Sequence, residues 1–312
     1  MHTIDTYSRS LIEETKQAGR YSTAGIYTST INSFLRFAGD SSITFSSLTP
    51  GLIKQYEDQL LSEGRSHNTL STYMRMLRSI YNRGVDMHQA PYVHGLFRDV
   101  FTGVDTRQKK AIPIGELHML LNKDPQSEKL RRTQAIANLL FQFCGMPFSD
   151  LAHLEKSNLE RGLLKYNRTK TGTPMSIEVL ESAQNAIGGL YNKSDARSSG
   201  YPDYLFRILS GAYKRNEEGA YREYQSALRR FNNELKSLSR KLRLHSPVTS
   251  YTLRHSWATT AKYRGVPIEM ISESLGHKSI KTTQIYLKGF ELEERTKVNK
   301  LNYSYVCNFK ML

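Results

Sequence analysis

The sequence is poor in cysteine, in acidic residues and in long apolar runs, and each shortage excludes a class of protein. Its 312 residues include only 2 cysteines, so neither a disulfide framework nor a cysteine-based zinc cluster is expected. No apolar run approaches the roughly 18–20 residues of a membrane-spanning helix, and the N-terminus is too polar for a signal peptide. We therefore expect a soluble, cytoplasmic protein with no membrane partner.

The acidic residues are too few to balance the basic ones. The chain has 44 Lys and Arg against 29 Asp and Glu, which gives a formal charge of +15. The first 103 residues are nearly balanced, with 10 against 9, whereas the remainder carries 34 against 20. A basic protein without a ligand is the alternative, but this excess favours a polyanionic partner bound mainly by the second part of the chain.

Apolar spacing in the first third of the chain is typical of helices. Leu70, Tyr73 and Leu77 recur three and four residues apart, so they share one helical face. Two earlier stripes end at Gly39 and Gly64, which are suitable residues for terminating a helix. This part of the chain is therefore predicted to be a bundle of four to five helices.

The length of the chain is sufficient for two domains, and a short polar, basic stretch marks a boundary between them. The predicted order is a helical domain at 1–103, a linker at 104–110, a second domain at 111–287 and a tail at 288–312.

The second domain is predicted to be mainly helical with one β-hairpin. A strong helix is expected over 130–144, and residues 161–179 alternate in polarity around a turn at 171–174. The alternation places Arg168 and Lys170 on one face of one strand, about 7 Å apart. The fold class expected for the whole chain is therefore mainly α with a small β-hairpin or sheet.

Two stretches between the hairpin and the C-terminal region are less regular or more basic. Residues 192–220 are rich in Ser, Gly, Asn and charge, and are predicted to be a long loop with one short helix. Residues 221–243 follow a helical pattern with many Lys and Arg. That helix either binds backbone phosphates or is simply solvated, and the sequence favours neither.

The rest of the chain is organised around the stretch from Ser250 to Leu287. Its apolar spacing and its Gly-containing turns predict three short helices, the last beginning near Ser279. Such an arrangement brings together Arg254, His277 and Tyr286. Each of these residues alone has an ordinary explanation, since most arginines are solvated, most histidines are satisfied polar groups and most tyrosines lie in a core.

The ordered combination of LRHSWAT and LGHKSIKTTQIYL resembles the C-terminal half of the tyrosine recombinases, the phage-integrase family of DNA strand-exchange enzymes. The resemblance implies that Tyr286 is the nucleophile, Arg254 a phosphate clamp and His277 a donor to a non-bridging oxygen. It also implies that Lys170, at the hairpin turn, is the general acid. Tyr251 occupies the position where the family usually has histidine. A tyrosine can donate a hydrogen bond there, but it is a poor proton shuttle.

The chemistry implied by this resemblance needs no cofactor. A tyrosine hydroxyl stores the energy of the broken bond as a phosphotyrosine ester, while guanidinium groups neutralise the phosphodiester anion. A further group protonates the departing 5′ oxygen. The sequence has neither a clear metal-ligand cluster nor a P-loop.

The resemblance also implies the partners and the role of the first domain. Residues 1–103 are similar to the SAM-like core-binding domain of the family, with Arg65, Arg75 and Arg78 as candidate contacts to the DNA backbone. The expected partner is double-stranded DNA with inverted-repeat sites, bound by a homodimer and paired by a homotetramer. The tail either docks on a neighbouring protomer or folds onto its own domain.

One family position departs from the pattern. Where the family has its first catalytic arginine, the segment CGMPFSDL has Pro147, although Asp150 keeps the acidic position behind it. This departure resembles a subset of recombinases from Bacteroides-type bacteria and their mobile elements. Either the protein no longer cleaves DNA or another arginine takes the place, and Arg168 is the candidate because it is near Lys170. The alternative explanation of Arg168 is a cross-strand or solvated side chain.

Three functions follow, in order of preference. The first is an active site-specific recombinase that integrates, excises or inverts DNA through a 3′-phosphotyrosine intermediate. The second is a catalytically inactive DNA-binding protein on the same fold, favoured by Pro147 and Tyr251. The third is a type IB topoisomerase, which shares the chemistry but is disfavoured by the small helical domain and short linker.

Overall fold

The computed structural model describes residues 3–105, 111–193, 201–287 and 292–307. Within these ranges, the side chains of residues 285, 286, 292–295 and 305 lie outside the description. The fold class predicted from the sequence is confirmed, because the described part of the chain is mainly helical with one three-stranded sheet. The chain divides into two compact units, one of residues 1–107 and 215–221 and the other of residues 108–214 and 222–312.

The first unit is a helical bundle with an aromatic core. Its α-helices are α1 (Ile4–Gln17), α2 (Tyr21–Ala38), α3 (Pro50–Ser62) and α4 (His67–Asp86). The rings of Phe34 and Tyr56 pack edge to face in this core, with centroids 5.3 Å apart.

Local sequence signals account for the ends of these helices. The side chains of Thr49 and Ser66 accept hydrogen bonds from backbone N–H groups three residues later, which begins α3 and α4. Gly39 ends α2 in the left-handed conformation, at φ 67°, as the sequence predicts.

The segment that leaves the first unit is held by side chains of α3 and α4. Buried Glu57 accepts a hydrogen bond of 2.7 Å from the N–H of Phe101. Asn68 exchanges two hydrogen bonds of 2.9 Å with the backbone of Asp105. The predicted linker at 104–110 is therefore anchored at its start, while its residues 106–110 lie outside the described ranges.

The second unit combines helices with the sheet, around a core in which Leu139, Leu140 and Leu253 are fully buried. Its first elements are α5 (Ile114–Asn122), α6 (Glu128–Gln142), α7 (Phe148–Ala152), β1 (Leu159–Glu160), β2 (Leu163–Asn167), β3 (Pro174–Glu178) and α8 (Glu181–Leu190). The later ones are α9 (Glu218–Lys241), α10 (Ser250–Tyr263), α11 (Ile268–Ser274), α12 (Ile280–Tyr286) and α13 (Leu292–Cys307). The first four residues of α9, 218–221, are grouped with the first unit. The sheet is antiparallel in the order β1-β2-β3.

The three helices predicted between Ser250 and Leu287 are confirmed as α10, α11 and α12. Gly265 and Gly276 follow α10 and α11 in left-handed conformations, at φ 76° and φ 64°. The short helix predicted within 192–220 does not occur among the described residues of that stretch, and residues 194–200 lie outside the description. No helix in the described part of the chain is both long and apolar enough to cross a membrane.

One detail of the predicted hairpin is wrong. The strand β2 ends at Asn167, so Arg168 and Lys170 belong to the turn rather than to one face of a strand. The N–H of Arg168 donates to the Thr173 carbonyl at 2.8 Å, and its own carbonyl accepts from Gly172 at 2.8 Å. These bonds close the turn early and direct the Arg168 side chain independently of the strand alternation.

Candidate active site

Arg254 is a buried guanidinium whose position is fixed by three contacts. It lies on α10 and is only 4% exposed. Its Nη1 donates to the carbonyl of Gly145 at 2.9 Å, and its Nη2 donates to the carbonyl of Leu275 at 2.6 Å. The same Nη2 lies 3.1 Å from Nε2 of His277. The sequence-predicted pair of Arg254 and His277 is therefore brought into direct contact.

A second buried guanidinium reaches the same carbonyl from the hairpin. Arg168 is 7% exposed, and its Nη1 donates to the Leu275 oxygen that also accepts from Arg254. The turn of the hairpin and the helix α10 thus deliver two positive charges to one acceptor. Leu275 follows the last residue of α11, so its carbonyl lies at the negative end of that helix dipole.

Asp150 supports Arg168 from behind. This carboxylate is 2% exposed, and its Oδ2 lies 2.7 Å from Nε of Arg168. The two atoms are not aligned as a hydrogen bond, so the contact is an ion pair. Oδ1 of Asp150 accepts from the N–H of Thr169 at 3.1 Å, which ties the carboxylate to the same turn. A solvated Arg168 is excluded by this burial and pairing.

Pro147, at the position of the missing arginine, begins the short helix α7. Its φ of −65° suits proline, and its carbonyl accepts from the N–H groups of Asp150 and Leu151 at 3.0 and 3.1 Å. Phe148 stacks on Phe231 with centroids 4.8 Å apart, which anchors the segment in the core. The loop therefore contributes backbone and packing to the site, and the second guanidinium comes from position 168.

Two glycines permit the close approach of the elements that form the site. A Cβ on Gly145 would lie 3.2 Å from the Cα of Arg254, in the left-handed conformation at φ 64°. A Cβ on Gly276 would lie 2.7 Å from Sδ of Met175 and 3.1 Å from Cγ and Cδ of Arg168. Both positions require glycine for the backbone angle and for the space.

His277 is a neutral ring held between Arg254 and Thr283. Its Nδ1 lies 2.8 Å from Oγ1 of Thr283, a fully buried residue of α12. Burial lowers the pKa of His277 from 6.5 to about 4, and the positive charges of Arg254, Arg168 and Lys170 act in the same direction. Lys170 itself is exposed on the hairpin turn, close enough to contribute to this shift.

This lowered pKa predicts a specific loss of stability in acid. Between pH 6.5 and about 4 the unfolded chain binds a proton at His277 that the folded chain excludes, so the free energy of unfolding falls as the pH decreases. Above pH 6.5 the ring of His277 is neutral in both the folded and the unfolded chain, so its titration no longer lowers the free energy of unfolding. We expect the urea midpoint of the wild type to fall more between pH 7 and pH 4.5 than that of His277→Gln. Equal decreases in both proteins would contradict a depressed pKa.

The remaining candidate residues are placed less completely. Tyr286 ends α12, and its side chain lies outside the described residues. Tyr251 is 46% exposed on the first turn of α10. Among the described residues, no group of three or more His, Cys, Asp or Glu is arranged to hold a metal ion.

Sequence reasoning missed two parts of the cluster. The Leu275 carbonyl is a backbone group, so no residue type identifies it. Thr283 precedes Tyr286 by three residues, and this spacing on a helix was the available signal for a partner on the same face.

Two exposed basic faces lie outside the cluster. On α4, Arg75 and Arg78 are exposed, and no ion pair involves either of them in the part of the chain that the structure describes. Arg65 is exposed as well, with its Nε 3.3 Å from Oε2 of Glu63. On α9, one stripe at helical spacing is exposed and contains no carboxylate: Arg222, Ser226, Arg229, Asn233, Lys236 and Arg240.

Comparison with family models assigns both parts of the chain. A model described as "Phage integrase family" matches residues 114–292, and a model described as "Phage integrase SAM-like domain" matches residues 4–92.

Curated proteins that are similar in sequence to this chain are named as integrases or recombinases. The probable integrase/recombinase protein MJ0367 of Methanocaldococcus jannaschii is 28% identical over 204 residues, covering 63% of this chain and 58% of the relative. The match thus spans less than two thirds of that relative. The tyrosine recombinase XerD of Halalkalibacterium halodurans is 28% identical over 252 residues, covering 77% of this chain and 77% of the relative.

Lambda integrase is a structural neighbour in two assemblies. A dimer bound to a COC′ core site matches with a TM-score of 0.63 and 14% identity, covering 93% of this chain and 100% of that one. A tetramer bound to a Holliday junction matches with a TM-score of 0.59 and 15% identity, covering 92% and 78%. At these identities the likeness shows a shared fold.

Proposed function

Because the chain belongs to the phage integrase family, we propose that it is an active site-specific DNA recombinase that cuts and rejoins DNA through Tyr286. The observation that carries the proposal is the meeting of two guanidinium groups at the Leu275 carbonyl, with His277 beside them. Two guanidinium groups that reach one backbone oxygen lie close enough together to bind the non-bridging oxygens of one phosphate through their remaining N–H donors.

The proposed reaction proceeds by in-line attack. The hydroxyl oxygen of Tyr286 attacks the scissile phosphorus and loses its proton to solvent. The bond from phosphorus to the 5′ oxygen breaks, which leaves a 3′-phosphotyrosine ester and a 5′ hydroxyl on the departing strand. Lys170 donates the proton that the 5′ oxygen gains. Attack of a 5′ hydroxyl on the ester reverses these steps and rejoins the DNA.

In this mechanism, the buried cluster neutralises the phosphate. Arg254 and Arg168 bind the non-bridging oxygens, and Asp150 orients Arg168. The guanidinium that Pro147 fails to supply is replaced from the hairpin, so the departure in the sequence does not require an inactive protein. We therefore favour the active enzyme over the inactive DNA-binding protein, and the SAM-like first domain favours a recombinase over a type IB topoisomerase.

A covalent adduct tests the proposed function directly. The wild type is incubated with a duplex of its inverted-repeat site that carries a nick beside the cleavage point, and the products are resolved on a denaturing gel. We expect a protein–DNA adduct that is absent from Tyr286→Phe, because only the phenolic oxygen forms the ester.

The matched control is Tyr92→Phe, which alters a tyrosine that is 73% exposed beyond α4 and is expected to leave the adduct unchanged. Tight DNA binding by the wild type, with no adduct at any nick position, would replace this proposal with the inactive DNA-binding protein.

Each unit is proposed to contact DNA through a basic face of its own. Arg65, Arg75 and Arg78 would contact backbone phosphates, as the core-binding domain of the family does. The carboxylate-free stripe on α9 extends over roughly 27 Å, since 18 residues rise by 1.5 Å each. A row of four cations and two polar residues on this scale suits contacts along a DNA backbone, and such contacts position DNA without reading its sequence.

The proposed assembly is a dimer on an inverted-repeat site and a tetramer when two sites pair, in the cytoplasm where the DNA is found. The lambda integrase assemblies support the proposal through the shared fold. The helix α13 is a candidate for contact with a neighbouring protomer because it exposes apolar side chains. These are Val298, Leu301, Tyr303 and Val306, each at least 56% exposed.

A further inference from the structure

Thr283 is a fully buried hydroxyl on the helix that carries the nucleophile. Its exposure is 0%, and it precedes Tyr286 by three residues on α12. Its Oγ1 lies 2.8 Å from Nδ1 of His277, which lies before that helix in the chain. One hydroxyl therefore connects the tyrosine helix to the phosphate-binding cluster.

The direction of this hydrogen bond follows from the other side of the ring. Nη2 of Arg254 lies 3.1 Å from Nε2 of His277, and a guanidinium can only donate. Nε2 is therefore the acceptor, and the single proton of the neutral ring is on Nδ1. Nδ1–H then donates to Oγ1 of Thr283, which fixes the plane of the imidazole.

We propose that Thr283 is a positioning residue that orients His277 and makes its correct orientation depend on the docking of the tyrosine helix. The inference rests on the proposed function, since it assigns a role within that reaction. Because Thr283 and Tyr286 are on the same helix, displacing α12 removes the nucleophile and also removes the Nδ1 partner of His277. The phosphate site is complete only when the nucleophile is present.

A hydroxyl suits position 283 because it can either accept or donate a hydrogen bond. When a phosphate oxygen replaces Arg254 at Nε2, the ring needs its proton there, so one proton leaves Nδ1 to solvent and one is taken up at Nε2. The ring stays neutral, and Thr283 then donates to Nδ1 instead of accepting from it. The same 2.8 Å contact therefore holds the ring before and after DNA binds.

Two substitutions isolate the hydroxyl. Thr283→Val keeps the shape and removes the hydrogen bond, while Thr283→Ser keeps the hydroxyl and removes a methyl group. We expect single-turnover cleavage of the nicked duplex to fall roughly ten- to a hundred-fold in Thr283→Val, the rate equivalent of leaving a buried polar group unpaired. Thr283→Ser is expected to retain most of the rate, and DNA affinity should change little in either variant.

A double-substitution cycle separates positioning from general packing. In a His277→Ala protein, adding Thr283→Val is expected to slow cleavage by less than about two-fold, because the partner is already gone. The same loss in both backgrounds, or no rescue by serine, would overturn the proposal.

A spectroscopic measurement needs no activity and keeps the inference distinct from the proposed function. The ¹⁵N shifts of His277 in the DNA-free wild type, assigned by comparison with His277→Ala, should show a proton on Nδ1. In Thr283→Val the ring loses the acceptor of that proton while Arg254 still donates to Nε2, so the Nδ1–H proton should exchange with solvent much faster than in the wild type. Equal exchange of the Nδ1–H proton in both proteins would refute the role of Thr283, whether or not the wild type cleaves DNA. An adduct missing from the wild type would instead count against the proposed function.

Discussion

Replacing Arg168 by alanine is expected to abolish DNA cleavage while most of the DNA affinity is retained. The substitution removes one of the two guanidinium groups at the Leu275 carbonyl, and no arginine from position 147 takes its place. Preorganised charges act most strongly on the transition state in a buried site, so we expect a loss on the order of 10³-fold in single-turnover rate. Affinity is spread over many exposed cations and should change little.

The design must allow for Asp150, which Arg168→Ala would leave as an unpaired charge at 2% exposure. Such a charge costs about 3–5 kcal/mol of folding free energy, enough to confuse inactivity with unfolding. The double variant Arg168→Ala/Asp150→Asn removes the charge as well and should restore the melting temperature without restoring cleavage. Arg168→Lys keeps the positive charge but loses the paired N–H donors of the guanidinium group, so we expect a cleavage rate between those of the wild type and Arg168→Ala.

The matched control is Arg161→Ala, an arginine just before the hairpin whose side chain is 92% exposed. It is expected to cleave at the wild-type rate. The measurements are the covalent adduct, the melting temperature and the DNA affinity of each variant. Near wild-type cleavage by the folded double variant would show that Arg168 is not the replacement arginine.

Adding one methyl group at Gly276 is expected to produce the second large effect. Alanine there is strained at φ 64°, at a cost of about 1–2 kcal/mol. Its Cβ would also lie 3.1 Å from Cγ and Cδ of Arg168, whose head group is held by Leu275 and Asp150. The Arg168 side chain must then shift by a few tenths of an ångström, and Sδ of Met175, only 2.7 Å from that Cβ, must shift further. We therefore expect Gly276→Ala to lower both the melting temperature and the cleavage rate, the latter by roughly ten- to a hundred-fold.

The control for backbone strain is Gly265→Ala. Gly265 has a φ of 76°, yet a Cβ there meets nothing within 4 Å. Gly265→Ala should therefore also lower the melting temperature, because its backbone is strained, but it should cleave DNA at the wild-type rate. If both variants lose activity in proportion to their stability, the contact with Arg168 has no part in catalysis.

The helices that could be predicted from the sequence are those whose ends have local signals. Gly39, Gly265 and Gly276 each adopt the left-handed conformation that ends a helix, so the predicted ends of α2, α10 and α11 are confirmed. The sequence of α8 carries no comparable signal at its end. Its Gly188 and Gly189 also lower its helix propensity. It forms against α6, where Ser182 donates to Gln142 at 2.7 Å across 40 residues of chain, and a local pattern cannot show such a partner.

The site was predictable as a set of residues but not as a geometry. The motif order identifies Arg254 and His277, and the structure places them in contact. The prediction for Arg168 used a strand that the turn interrupts, so its stated reason was wrong although the residue is buried in the cluster. Arg168 and Leu275 are 107 positions apart, and the acceptor that unites the cluster is a main-chain oxygen. Neither fact has a sequence signature.

The Leu275 carbonyl has a further consequence for how this site tolerates changes in its sequence. The Leu275 oxygen determines where a bound guanidinium group lies. It does not determine which backbone position carries that arginine, since Arg168 and Arg254 reach it from different elements. Under the proposed function, an arginine in the hairpin turn at 168 can therefore serve in place of one in the loop at 147 without a change in the fold around it.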